Sequence, residues 1–321
     1  MKFLPVLVSL IALLSLMVSC GGRSATKTID SFRWSAGPSA GNQDLLAVDM
    51  IDEGIGWAVG DMEPGASGGV IYKTTDGART WRAVSRASEI LTSVHFASSS
   101  VGWVAGHGGT IERTDDGGLT WKPQRIEREA EILNSIYFID DHQGWVAGGG
   151  GLVLRTSNGG QSWDIIETGR PEDLWSVRFS SPHKGWVVGE GGLILSTTDG
   201  GVTWVQAAPG VSRALLGLAV DPSGAVIAVG ESGTILRSTG DGSWTRVESG
   251  TTENLNGVST PGSGLFWAVG ASGVSLQSDD GGVTWKAPGP LTSRDLSAID
   301  VVAPGHGIAV GQKGFTQILG Q

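Results

Sequence analysis

Residues 102–121 read GWVAGHGGTIERTDDGGLTW, and variants of this stretch recur along nearly the whole chain. Its WVAG tetrapeptide has counterparts whose first residues are separated by 46, 42, 41, 41, 40 and 41 positions. A period of that length is typical of a repeat architecture, in which each unit buries its apolar face only against its neighbours. The copies are WAVG at 57–60, WVAG at 103–106 and 145–148, WVVG at 186–189, IAVG at 227–230, WAVG at 267–270 and IAVG at 308–311.

The second half of the stretch, TDDGGLTW at 114–121, recurs in phase with the first half. Asp can bond its own backbone and Gly accepts a positive φ, so each copy predicts a tight reversal, and the Thr-Trp that follows favours a strand. We call these turns Asp-boxes. Their predicted turn residues are Asp76, Asp116, Asn158, Asp199 and Asp280, and their tryptophans are Trp81, Trp121, Trp163, Trp204, Trp244 and Trp285.

Turn signals divide each unit into four short strands, which is the signature of a β-propeller blade. Seven copies therefore predict an all-β, seven-bladed propeller with four-stranded antiparallel blades. The last unit ends before its outer strand, whereas Phe32-Arg33-Trp34 precedes the first unit. We predict that residues 29–35 pair with residues 314–319 and close the ring.

Two further details follow from the repeat. Twelve of the thirteen tryptophans, counting Trp34, fit repeat positions, and we interpret them as wedges between neighbouring sheets. Trp175 is the thirteenth. The loop between Gly60 and Gly69 is longer than its counterparts and is the clearest departure from the repeat.

The N-terminal segment predicts export. Met1-Lys2 precedes an apolar run from Phe3 to Val18 that is short for a membrane span of about 20 residues. Cys20, the single cysteine, stands where a bacterial lipoprotein signal, which this segment resembles, places its acylated residue; plain secretion is the alternative. We expect a protein anchored by lipid to the periplasmic or extracytoplasmic side of a bacterial membrane. The expected organisation is a signal peptide at 1–19, a flexible tether at 20–28 and a propeller at 29–321.

Composition and motifs argue against several functions. The net charge of −10 would repel a phosphate backbone, so nucleic acid is not an expected partner. The sequence holds no P-loop, dinucleotide fingerprint, G-x-S-x-G elbow or H-E-x-x-H motif, and the Asp-rich turns lack the ligand run of a calcium loop. We expect a monomer that is not an enzyme and has no cofactor or metal.

Alternation along the innermost strand predicts a ring of side chains around a central channel. One parity is apolar, and the other carries polar residues at positions that the repeat makes equivalent. This ring is either a hydrated wall whose charges satisfy one another or a site for a small polar ligand. The candidate ring residues are Asp49, His95, Tyr137, Arg178, Ser259 and Asp300, with Ala219 at the fifth position.

A partner could also bind on the loops. In a propeller, the turns between the second and third strands share one face with the blade-to-blade connections, and loops on a rigid scaffold are the usual place for binding residues. A solvated surface of mixed charge is the alternative. The candidate residues on this face are Arg86, Arg128, Arg170, Arg213, Arg294, His107, Glu190 and Glu231.

With these motifs placed, the chain resembles the photosystem II stability/assembly factor family of cyanobacteria and chloroplasts. Members of that family are seven-bladed propellers with the same S/T-x-D-G-G-x-T-W boxes and G-W-x-V-G strands. The resemblance implies a non-enzymatic scaffold that assists a membrane protein complex, with that complex and the bilayer as its partners. The family is associated with an arginine-rich patch, whereas the arginines here are interspersed with acids.

Asp-boxes also occur in sialidases, where they are structural turns. The catalytic set of a sialidase includes three arginines, a Tyr-Glu pair and an acidic Asp, but this chain has only Tyr72 and Tyr137, and a single arginine in the ring. The alternative function is therefore a noncatalytic propeller that binds a glycan or cell wall, with Trp175 or the channel ring holding the ligand.

Overall fold

The structure, a computed structural model, describes residues 32–62, 65, 67–126 and 132–320. The predicted leader and tether, with Cys20, lie outside the described residues, as does Arg128. Within the described residues no helix is both long enough and apolar enough to cross a bilayer. The strands form seven antiparallel sheets, which confirms the all-β, seven-bladed propeller.

We letter the strands of a blade a to d from the channel outward; six of the seven sheets pair a with b, b with c and c with d, and the sheet of blade 6 ends at strand c. Strand β1 (Arg33–Ala36) precedes the first blade. Blade 1 holds β2 (Leu45–Met50), β3 (Gly56–Met62), β4 (Gly69–Thr74) and β5 (Arg82–Arg86); blade 2 holds β6 (Leu91–Phe96), β7 (Gly102–Gly106), β8 (Ile111–Thr114) and β9 (Lys122–Pro123); blade 3 holds β10 (Leu133–Phe138), β11 (Gly144–Gly148), β12 (Leu152–Thr156) and β13 (Asp164–Glu167).

The remaining blades follow the same order. Blade 4 holds β14 (Leu174–Phe179), β15 (Gly185–Gly189), β16 (Ile194–Thr197) and β17 (Val205–Ala207); blade 5 holds β18 (Leu215–Val220), β19 (Val226–Gly230), β20 (Ile235–Ser238) and β21 (Thr245–Val247); blade 6 holds β22 (Leu255–Gly262), β23 (Leu265–Gly270) and β24 (Ser275–Ser278); blade 7 holds β25 (Leu296–Ala303), β26 (His306–Gly311) and β27 (Thr316–Gly320). Short 3₁₀ turns lie between strands b and c at Gly149–Gly151, Glu190–Gly192, Glu231–Gly233, Ala271–Gly273 and Gln312–Gly314.

The two ends of the described chain close the ring, as predicted. Strand β1 pairs antiparallel with β27, with Trp34 opposite Leu319 and Ser35 opposite Ile318, and so becomes strand d of blade 7. The predicted segment began at residue 29, and residues 29–31 lie outside the described residues. The pairing covers the edge of β27, which would otherwise offer unpaired backbone groups.

Blade 6 departs from the four-stranded prediction. Its sheet has three strands, and the expected outer strand is reduced to one bridge between Gln277 and Lys286. Pro288 and Pro290 lie two and four positions after Lys286, and proline has no N–H to donate to a ladder. In blade 1, the hairpin of β3 and β4 is longer than its counterparts, because Met62 of β3 pairs with Gly69 of β4. The long loop predicted from the sequence therefore connects the ends of two extended strands.

Aromatic rings pack the blades against one another, as the interpretation of the tryptophans as wedges required. Phe138, from strand a of blade 3, stacks on Trp103, from strand b of blade 2, with 3.5 Å between ring centroids and 5° between ring planes. The Asp-box residue Trp163 meets the same phenylalanine edge-on at 5.9 Å. The pairs Phe96–Trp57 and Phe179–Trp145 repeat this stack at the neighbouring interfaces.

The glycine before each of these tryptophans makes room for the ring. A Cβ on Gly144 would lie 2.5 Å from three ring atoms of Phe138, closer than any real contact. In blade 6 the large and the small residue exchange places: Phe266 stands at the glycine position, and Thr260 stands at the phenylalanine position. Phe266 then meets Trp285 at 6.4 Å. The two positions thus share one ring's volume.

The Asp-box turns are held by their Asp or Asn side chain. Asp116 accepts hydrogen bonds from the backbone of Leu119 (3.0 Å) and Thr120 (2.9 Å) and from the hydroxyls of Thr120 (2.6 Å) and Thr114 (2.8 Å). The bonds from Thr120 are the main reason why the pKa of Asp116 falls to about 2. The box carbonyl of Gly159 in turn accepts from the indole of Trp103 (3.1 Å) and from Arg113 (3.0 Å), both in the preceding blade.

We expect acid to weaken these turns. An unfolded Asp titrates near about 3.9, above the folded pKa of Asp116, so its stabilising contribution is complete above that pH and is lost as the pH falls towards about 2. Asn158 shows that an amide can build the turn, because it accepts from Ser162 N–H (3.0 Å) and donates to the Ser162 hydroxyl (2.9 Å). Asp116→Asn should therefore melt near the wild-type temperature at pH 7, and its melting temperature should fall less than that of wild type on acidification. Asp116→Ala should melt at a lower temperature than wild type at neutral pH and at acidic pH.

Thermal unfolding of the three proteins between pH 7 and about pH 2.5 is the measurement. Equal acid sensitivity of Asp116→Asn and wild type would show that this carboxylate does not contribute to the acid transition.

Candidate functional site

The predicted ring residues line one cavity of about 540 Å³ in the centre of the propeller. All seven equivalent positions contribute to its wall, Ala219 included. The cavity opens between the turns that follow strand a, where Ile51, Pro222 and Pro261 border it. The structure therefore brings together the side chains that strand alternation selected.

Most ring side chains bind the backbone of the next blade. Asp300 accepts from the N–H of Met50 (2.8 Å), and Asp49 accepts from that of Phe96 (2.8 Å). The Nε2 of His95 lies 2.8 Å from the carbonyl oxygen of Phe138, which only accepts, so this nitrogen carries a proton. Tyr137 donates its hydroxyl to the carbonyl of Phe179 (3.2 Å). These groups form a belt around the channel that joins blades 7, 1, 2, 3 and 4.

The hydrogen bonds of the belt involve different groups at blades 5 and 6. Ala219 has no polar group, and the buried Asp221, two residues later, takes over by accepting from Gly264 N–H (2.9 Å) and the Thr260 hydroxyl (3.3 Å). Ser259 donates to Asp300 (3.1 Å). Sequence alternation missed Asp221, because it lies in the turn beyond strand a.

Charges in the ring act on each other across short distances. Burial, and then the charge of Asp49, raise the pKa of Asp300 to about 6, although hydrogen bonds from Met50 and Ser259 and the charge of Arg178 oppose the rise. Burial also raises the pKa of Tyr137. The Nδ1 of His95 lies 3.5 Å from Oδ1 of Asp49.

The opposite mouth of the channel holds a second tier of polar side chains. A smaller cavity of about 130 Å³ there is lined by Thr92, Asn134, Trp175 and Asn256, among others. Asn134 donates to the carbonyl of Leu174 (2.9 Å) and Asn256 to that of Leu296 (2.8 Å), each in the next blade. The indole N–H of Trp175 is buried and has no partner among the described residues.

The turns between strands b and c lie against the blade-to-blade connections, and we call the surface that they form the connection face. The residue after strand b donates its N–H to the carbonyl just before strand a of the same blade, as His107 does to Ile90 (2.9 Å) and Glu190 to Asp173 (2.9 Å). A Cβ on Gly151 would overlap the carbonyl oxygen of Arg170, so the blade-to-blade connection crosses directly over the b–c turn.

The candidate arginines stand at separate blade junctions of the connection face. Arg86 ends β5, and Arg213 and Arg294 lie exposed just before strands a of blades 5 and 7. Arg294 covers the ring of Phe315 at 5.2 Å. Arg170 is half-buried and binds the side chain of Gln206 in blade 4. They therefore surround the face and do not form one patch.

The acidic residues of this face are partly engaged by the backbone. Glu231, in the turn between strands b and c of blade 5, accepts from the N–H of Ala214 (3.2 Å), which ties its side chain to the connection that enters blade 5. Glu190 is exposed, and His107 is half-buried. The face therefore presents arginines beside acids, a surface of mixed charge.

One group of potential metal ligands occurs among the described residues, formed by Asp140, Asp141 and His142. All three are exposed, and Asp140 already accepts from the backbone of His142 (2.8 Å) and Gln143 (2.6 Å) in the turn after strand a of blade 3. These bonds account for the cluster as a hydrogen-bonded turn.

The family model "Photosynthesis system II assembly factor YCF48" matches residues 85–171, which span blades 2 and 3. This match supports, over that part of the chain, the resemblance indicated by the sequence motifs, and two solved structures share the fold. "YCF48 bound to D1 peptide" superposes with a TM-score of 0.73 at 20% identity, over 90% of this chain and 97% of that chain. "YCF48 from Cyanidioschyzon merolae" gives 0.70 at 20% identity, over 89% and 98%.

Other propellers superpose as well. The GH74 enzyme of Niastella koreensis gives a TM-score of 0.70 at 14% identity, covering 88% of this chain and 53% of that chain. At these identities, the structural matches establish the shared fold. Among curated proteins, no match to the sequence is found.

Proposed function

We propose that this chain is a non-enzymatic binding propeller that assists the assembly or stability of a membrane protein complex, as the photosystem II assembly factors that it resembles do. The match of residues 85–171 to that family carries the proposal. The YCF48 structure with a D1 peptide supports it, because a protein of the same fold is there seen to hold a peptide.

The connection face supplies the binding surface in this proposal. Exposed arginines at Arg86, Arg213 and Arg294 alternate with acids around a rigid ring of blades. Charges on the rim of an interface guide association and select partners more than they add affinity. A partner with its own pattern of acidic and basic groups fits this surface.

The proposal also includes the location of the protein. We infer that it is exported and anchored to a bacterial membrane by acylated Cys20, with the propeller on the extracytoplasmic side. An anchor of this kind keeps a monomeric propeller close to membrane proteins and raises its effective concentration there.

A crosslinking pull-down of the lipidated protein from its native membrane, analysed by mass spectrometry, tests this function. The connection-face variant changes Arg86, Arg213 and Arg294 to Glu. A matched control changes Arg79, Arg82 and Arg246 to Glu, the same charge change on Asp-box and outer-strand positions. We expect wild type and control to recover the same membrane complex, and the connection-face variant to recover about tenfold less.

Recovery of the same proteins by all three forms would contradict the role of the connection face. Recovery of envelope polysaccharide alone would contradict the assembly function itself. That second outcome favours the other candidate function, a noncatalytic glycan or cell-wall binder.

One observation favours the glycan candidate: the indole of Trp175 borders the channel mouth beside Asn134 and Asn256, with its N–H unpartnered among the described residues. Aromatic rings with neighbouring amides suit sugar rings. Trp175→Ala separates the two functions, because it should abolish retention on envelope polysaccharide if glycan binding is correct and leave complex recovery unchanged if assembly is correct.

A further inference from the structure

The central cavity carries opposite charges on opposite sides. The strands a follow one another around the channel, from β2 through β6, β10, β14, β18 and β22 to β25 and back to β2. In a ring of seven, blade 4 lies across from the junction of blades 7 and 1. Arg178 of blade 4 therefore faces Asp300 and Asp49 of blades 7 and 1.

These charges do not pair directly. Among the described residues, no carboxylate oxygen lies within 4.0 Å of the guanidinium of Arg178, and the side chains are held by other groups. Asp300 and Asp49 accept from backbone N–H groups of the next blade. The Nη1 of Arg178 donates to the carbonyl of Val177 in its own strand (2.8 Å).

Arg178 keeps hydrogen-bonding capacity that the belt does not use. Arginine has five N–H donors in a planar fork, and only Nη1 has acceptors here, namely Val177 and, at 3.5 Å, the hydroxyl of Ser135. The Nε and Nη2 groups have no acceptor among the described residues. Each carboxylate oxygen of the acidic pair likewise has a second lone pair that could accept another donor.

The space between the charges is large enough for a ligand. The cavity of about 540 Å³ lies within the range of small-molecule sites. On the side of blade 5 its wall is formed by Ala219, Val220 and Pro222, small or apolar residues that leave room beside Arg178. An uncharged carbon chain could lie against these residues.

We propose that this cavity binds a small zwitterion of amino-acid size, with its carboxylate on the guanidinium of Arg178 and its ammonium on Asp49 and Asp300. The acidic pair outnumbers the single arginine, so a simple anion would be repelled, and a simple amine would leave the guanidinium unsatisfied. A molecule that carries both charges satisfies both sides. This site is independent of the membrane partner.

Calorimetric titration of the full chain near pH 7.5 with glycine, 4-aminobutanoate and 6-aminohexanoate tests the site, because the three probes span different distances between their charges. Butanoate and butylamine are the probes with one charge each. We expect at least one zwitterion to bind, and the singly charged probes to bind about tenfold more weakly or worse.

Arg178→Met should weaken that binding by about tenfold or more, because it removes the fork. Arg246→Met, on exposed strand d of blade 5, is the matched control and should bind like wild type. Absence of binding by all three zwitterions at about 10 mM, equal binding of butanoate, or unchanged binding by Arg178→Met would each overturn the proposal. The wild-type comparison decides the matter even if Arg178→Met does not fold.

Discussion

Phe138→Thr should lower the free energy of unfolding by about 3–5 kcal/mol, the range for removing a large buried side chain. Phe138 is 2% exposed, stacks on Trp103 of the preceding blade and meets Trp163 of its own Asp-box edge-on. Its removal deprives both tryptophans of a partner and leaves a cavity at the interface of blades 2 and 3. Chemical denaturation of the variant and wild type gives the difference.

Blade 6 indicates which second substitution should compensate for Phe138→Thr. Blade 6 has Phe266 in the glycine position and Thr260 in the phenylalanine position. Adding Gly144→Phe to Phe138→Thr copies that arrangement and should recover part of the lost stability, because a ring again fills the space beside Trp163. The stack on Trp103 is not restored, so recovery stays incomplete by about 0.5–1.5 kcal/mol.

Gly144→Phe alone is the control that makes the experiment a double-mutant cycle. It forces a second ring into space that Phe138 already fills, since even a Cβ on Gly144 would lie 2.5 Å from that ring. If the double variant is as unstable as the two single changes added together, the two positions do not share one volume and this account of the repeat is wrong.

Much of the fold could be predicted from the sequence because the same pattern of strands and turns occurs in seven copies. The spacing of the seven WxVG-type tetrapeptides predicted the number of blades, and the unpaired segment Phe32-Arg33-Trp34 together with the missing outer strand of the last unit predicted the closure between β1 and β27. Alternation along strand a then placed Asp49 and Arg178 on the channel. These predictions rest on local periodicity, which single sequences carry well.

The second tier of the channel could not be predicted by alternation. A bulge near the start of each strand a shifts the register, as between Leu174 and Ser176. Trp175 consequently faces the channel three positions before Arg178, where strict alternation would turn it away. A bulge leaves no mark in a pattern of apolar and polar residues, so only the backbone reveals it.

Phe32→Ala should lower the free energy of unfolding by about 3–5 kcal/mol, as expected for a buried phenylalanine, although Phe32 is the first of the described residues. Phe32 is 4% exposed, and its ring packs against the ring of Trp267 of blade 6, with 6.2 Å between the ring centroids. The equivalent indole of Trp103 donates to an Asp-box carbonyl of the following blade. Blade 7 takes β1 as its outer strand, and no Asp-box follows β27 among the described residues. The indole N–H of Trp267 has no partner among them.

Packing by Phe32 therefore covers a Trp267 ring that lacks this hydrogen bond, and it adds to the β1–β27 pairing in holding the closing strand. Denaturant unfolding should show the loss for Phe32→Ala, and proteolysis should cut more readily near Gly37, where the chain leaves β1. Leu119→Ala is the control, because Leu119 is an apolar residue 67% exposed in the second Asp-box and should cost less than about 0.5 kcal/mol. Equal losses in the two variants would mean that β1 covers the edge of β27 without stabilising the ring, and that blades 1 to 6 hold the fold alone.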